Sequence, residues 1–134
     1  MAAGRAGRYD YRRDDALRRI RVTVRVPLES SEFIDIVDRQ AAEGTWTYGL
    51  ICDLRAVYET PPPIDTARFF ETVEAHTKVM GKRGPVALLT RAPGMIARSH
   101  AYAKNAATRG FDVELFWDLD EAEEWLQRHT PSAT

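Results

Sequence analysis

Residues 47–65 read TYGLICDLRAVYETPPPID, and this stretch decides the fold. Tyr48 to Leu54 is almost wholly apolar and holds no proline. Such a run, too short for a buried helix, reads as a strand covered on both faces and so central in a sheet. It ends in Asp53 and Arg55, charged residues where a buried strand would emerge. In open α/β sheets ligands lie outside the carboxyl ends of the strands. Pro61, Pro62 and Pro63 then stiffen the path into the next helix, so 53–66 is the candidate working edge.

Before this strand, Arg8–Arg13 and Arg18–Val26 alternate in character around a turn-like Asp14-Asp15-Ala16. Ile20, Val22, Val24 and Val26 face one way; Arg19, Arg21, Thr23 and Arg25 face the other. That is a hairpin with one wet face, forming the sheet's outer part. A helix follows Pro27, with Ser30 or Ser31 as its cap, an apolar stripe of Phe33, Ile36, Val37 and Ala41, and Gly44 as terminator. After the prolines Asp65 can cap a second helix running to Met80. Gly81-Lys82-Arg83-Gly84 reads as a polar turn and Pro85–Thr90 as a second strand apolar on both faces. Met95–Arg109 reads as a third helix ended by Gly110, and Phe111–Trp117 as an alternating strand near the far edge. Asp118 and Glu121 have capping-box spacing before a last stripe of Leu119, Ala122, Trp125 and Leu126.

The order strand, strand, then repeated helix–strand units implies parallel pairing joined by crossover helices. The expected fold is one α/β domain over residues 8–128: a mixed five-stranded sheet, opened by an antiparallel hairpin, with four helices. Residues 1–7 and 129–134 are expected as tails.

The 134 residues suffice for one domain with a real core. A net charge of −1 and a pI of about 6.3 give no footing for nucleic-acid binding. The single cysteine, Cys52, excludes an intrachain disulfide, and its place in the apolar strand suits a buried structural thiol. No apolar run approaches the roughly 18 residues that would span a bilayer. The arginine-bearing start lacks an apolar signal core, so a cytoplasmic protein with no transmembrane segment is expected.

Three stretches carry a resemblance. Ile51-Cys52-Asp53-Leu54-Arg55 looks like a central strand ending in Asp-X-Arg, Gly94–Arg98 like a Gly-X-X-Arg helix start, and Phe116–Leu126 like a closing strand-to-helix run. Together with the element order, over about residues 8–127, they resemble small stand-alone bacterial STAS-like proteins, grouped with anti-sigma-factor antagonists and the CRAL-TRIO lipid-binding domains. The resemblance implies a non-enzymatic regulatory module that binds a protein partner or a second copy, without a cofactor. Its alternative implication is a carrier or sensor of a small apolar or anionic ligand. STAS antagonists carry a phosphorylated serine after the central strand; here residues 56–66 offer only Tyr58, Thr60 and Thr66 as hydroxyls. Thr66, near a helix start, is where free N–H groups would favour a phosphate.

Two readings of the edge stay open. Asp53 can cap a loop amide while Arg55 pairs with a local acid such as Glu59. Otherwise Arg55, Arg91 and Arg98 could grip an anion beside the helix start at Met95. For the carrier, Phe69, Phe70, Met80, Met95, Tyr102 and Trp117 are pocket candidates, though such residues are more often core. The arginine face of Arg19, Arg21 and Arg25 is either solvated or answered by a partner, with Asp10 able to answer one charge. His76, His100 and His129 lack metal-ligand spacing, no serine has a nucleophile-elbow setting, and Gly81–Gly84 lacks the phosphate-loop pattern, so no enzyme is expected.

Overall fold

The computed structural model describes residues 8–59 and 63–132. The elements run β1 (Tyr9–Asp14), β2 (Arg19–Val24), α1 (Ser30–Ala42), β3 (Gly49–Asp53), α2 (Thr66–Met80), β4 (Val86–Leu89), α3 (Pro93–Thr108), β5 (Val113–Phe116) and α4 (Leu119–His129). The protein is α/β, with β1 antiparallel to β2 and every other neighbouring pair parallel. The sheet order is β1-β2-β3-β4-β5, so each strand lies beside its neighbour in sequence.

Strands added in one direction by crossovers of one hand put their helices on one side of the sheet. The core shows this. Ile36 of α1 and Met95 of α3 pack with Val22, Leu50, Cys52 and Leu88 on one face. On the other face Ile51 and Ala87 meet Ala122 and Leu126 of α4. Successive strand residues point to opposite faces, so β3 is buried at all five positions, which is why its sequence carries no polar alternation.

The helix α2 sits differently. Its Phe69, Phe70 and Val73 cluster mainly with Ile34, Val37 and Trp46 and with Ala106 of α3, and Val113 of β5 is the strand residue that packs against them. Its link to α3 is made by rings, with Phe69 and Phe70 centred 5.6 and 5.5 Å from Tyr102. It therefore forms an outer layer held off the strands.

Two local readings change. The first helix is capped by Glu29, not by Ser30 or Ser31. The Glu32 carboxylate accepts the Glu29 backbone N–H at 2.9 Å and the Arg8 guanidinium at 2.7 Å. Ser30 Oγ instead accepts the Asp65 N–H at 2.8 Å, tying α1 to the entry of α2. The arginine face is also not free. Arg19, only 6% exposed, pairs with Glu123 of α4, Arg21 reaches Asp53 at 3.4 Å, and Arg25 pairs with Asp10. Strand alternation marks Arg19 as outward but cannot show that α4 will cover that side.

Candidate functional site

Holding α2 off the sheet leaves a cavity of about 350 Å³. Its floor is the sheet, through Val22, Val24, Leu50, Cys52 and Leu88, and its walls include Ile36 and Val37 of α1, Phe69 of α2, and Met95 and Tyr102 of α3. It runs along the strands, from Arg83 and Val86 before β4 to Leu54 and Val57 past β3. Leu50 to Leu54 alone cover about 13 Å at the usual strand rise. The exposed lining residues Pro63, Ala101 and Asn105 mark its mouth, along the seam of α2 and α3. A volume within the small-molecule range and lined mostly by apolar side chains is the ordinary form of a ligand site.

Thr66, Arg83, Arg98, Ser99, Tyr102 and Asn105 bring polar atoms to the lining, and of its two arginines Arg83 is the buried one. Arg83 is 8% exposed and lines the cavity. Its Nε and Nη2 both donate to Gln40 Oε1, at 3.1 and 2.8 Å. Gln40 is wholly buried at the end of α1 and donates its own Nε2 to the Thr45 carbonyl at 3.1 Å, so its amide is held in one orientation. The guanidinium lies over the Trp46 ring, 5.6 Å from its centroid. Burial pushes its pKa down, against the pull of the nearby Tyr102 phenol, which acts on it as a hydrogen-bond partner. Burial likewise raises Tyr102 and pushes the Cys52 thiol up to about 12. Both are therefore neutral near pH 7. Among the described residues no carboxylate pairs with Arg83, whose described polar partners are Gln40 and Tyr102.

The site residues expected from the sequence divide into two groups. Thr66, Met95 and Arg98 come together on the cavity wall. Thr66 is half-buried and its hydroxyl donates to the Ile64 carbonyl at 3.3 Å. Asp53, Arg55 and Arg91 belong instead to the carboxyl edge of the sheet. There Asp53 accepts the Arg55 backbone N–H, so it does cap a loop amide, but Arg55 pairs with Asp53 itself rather than with Glu59. Arg91 is exposed, with Nε 3.4 Å from the Trp117 carbonyl. Tyr58 stands 76% exposed, and Thr60 lies outside the described residues. Of the three arginines, Arg98 lines the cavity and Arg55 and Arg91 do not.

Of the pocket candidates, Phe69, Met95 and Tyr102 line the cavity. Phe70 and Met80 pack in the α1–α2 cluster, and Trp117 is 58% exposed. Sequence reasoning missed Arg83, Cys52 and Ser99 as lining residues. The signal for Ser99 was its place among the small residues on the inner side of α3; none marked Arg83. Among the described residues there is no helix long and apolar enough to cross a membrane and no group of His, Cys, Asp and Glu fit to hold a metal ion. Compared with family models, curated proteins and solved structures, the chain matches none.

Proposed function

We propose that the protein carries or senses a small apolar ligand held between its sheet and α2. The observation that carries this reading is the 350 Å³, mostly apolar cavity, beside a helix that packs chiefly on other helices. Well-packed interiors leave few voids larger than a water molecule, so a space of this size is a designed absence of side chains. At roughly 30 Å³ per water-sized group it holds about a dozen heavy atoms.

The test uses the neutral, apolar dye phenylnaphthylamine, together with mass analysis of an organic extract of protein freshly purified from cells. Saturable dye binding, weakened by Ala101→Trp at the exposed mouth, is expected, as is a co-purifying apolar compound. No dye binding and an empty extract would overturn the reading.

A second reading, a non-enzymatic module that binds a protein partner or another copy, is favoured by exposed Tyr58 at the sheet's carboxyl edge. Tyr58→Ala should then weaken capture of a partner, or dissociate a dimer in sedimentation, without altering dye binding.

A further inference from the structure

A cation inside an apolar cavity needs an answering charge. Taking a guanidinium out of water is costly, and the cost is recovered only where its donors are met by an anion in good geometry. A guanidinium has five N–H donors. Gln40 Oε1 takes one from Nε and one from Nη2. The Tyr102 phenol is a partner for a third. Among the described residues no bond is recorded for the other two, which belong to the Nη groups, the end of the fork that a carboxylate grips with two parallel bonds. Gln40 itself is fixed by Thr45 and cannot swing away to leave Arg83 free to seek water. The buried guanidinium is thus set in place at the end of a mostly apolar chamber.

We propose that Arg83 anchors the carboxylate head of a medium-chain amphiphile, such as a fatty acid, whose tail lies along β3 under α2. The inference rests on the carrier reading and names its ligand class. Cys52 and Tyr102 beside Arg83 are neutral, so one carboxylate answers its charge; the other cation of the lining is Arg98 on α3. Length also agrees. A ten-carbon acid has about as many heavy atoms as the dozen that the cavity takes. The tail would meet Leu50, Leu54 and Met95, apolar side chains that suit a hydrocarbon chain, and the neutral Cys52 thiol.

The experiment is calorimetric titration of the whole chain with decanoate and with decanol, for the wild type and for Arg83→Met. The wild type should bind decanoate about ten- to a hundredfold more tightly than decanol, the range that a charge-assisted pair supplies. Arg83→Met should lose that preference and keep its affinity for decanol. The variant removes a buried charge but leaves the buried Gln40 Oε1 without its two donors, so its folding is checked by circular dichroism; if it does not fold, the carbon-13 signal of carboxyl-labelled decanoate on the wild type decides. A bound carboxyl that stays ionised to lower pH than the free acid supports the anchor, and one that titrates as the free acid does overturns it. Equal affinity of the wild type for acid and alcohol would overturn the anchor and leave the carrier standing. Failure to bind either, together with no dye binding, would overturn both.

Discussion

Asp53 closes back on Arg55 two residues later. Its Oδ1 accepts the Arg55 backbone N–H at 3.1 Å and Nε at 3.0 Å, while Oδ2 accepts Nη2 at 2.9 Å. Burial alone would raise the Asp53 pKa; the Arg55 bonds, with Arg21 behind them, outweigh it and hold it below the ordinary value. The charge that sequence reading offers to a ligand is thus spent on shaping the exit of β3.

A pH dependence follows from that pair. A carboxyl with a depressed folded-state pKa stabilises the fold above its unfolded value, about 3.9. The contribution is lost as pH falls through the depressed value. Asp53→Asn should cost about 1–3 kcal/mol at pH 7 and flatten the acid side of the stability curve below pH about 4, read by urea melts across pH.

The buried Arg19 and its partner Glu123 should show the asymmetry of a buried ion pair. Burial pushes the Arg19 pKa down, and its Nε has no hydrogen-bond partner among the described residues. Glu123→Ala strands the cation and should destabilise by about 1–3 kcal/mol. Replacing both, as Arg19→Met with Glu123→Leu, should recover most of the loss. A double-mutant cycle in guanidinium melts measures it.

Gly84 lies directly against the backbone of residues 47–48. A Cβ there would overlap the carbonyl oxygens of Tyr48 and Thr47, and the Gly84 N–H donates to the Trp46 carbonyl at 2.9 Å. Backbone cannot step aside as a side chain can. Gly84→Ala should therefore cost about 1–3 kcal/mol or more. It should also disturb the seat of Arg83, seen as weaker decanoate binding in calorimetry.

Cys52 should be inert in the folded protein. With its pKa pushed up to about 12 by burial, about one thiol in ten thousand is ionised at pH 8. Reaction with a disulfide reagent should be slow in buffer and fast in denaturant. Since Cys52 lines the cavity, bound decanoate should slow it further. A fast reaction in buffer would contradict the burial.

Much of the fold was legible because periodicity speaks about elements. The apolar run of β3, the Asp65 cap of α2 and the glycines that stop α1 and α3 at positive φ could all be read. Layering could not. Periodicity puts Phe70 in the apolar stripe and Phe69 on its flank, yet both are buried in the cluster with α1 and Phe69 also lines the cavity. Arg83 was the largest omission. Between two glycines and beside Lys82 it has the composition of a solvent turn. It points inward because Gly84 lets the loop lie flat against residues 47–48 and Gln40 waits beneath.

The placement of α4 has a consequence during synthesis. It is the last element of the fold to leave the ribosome, yet it reaches back across β4 to β3 and β2. Until residues 119–129 emerge, a nascent sheet would hold Ile51 and Ala87 bare on one side. Chaperones recognise such exposed apolar surface, so a transcript cut short before α4 would yield a client for quality control rather than a smaller working protein.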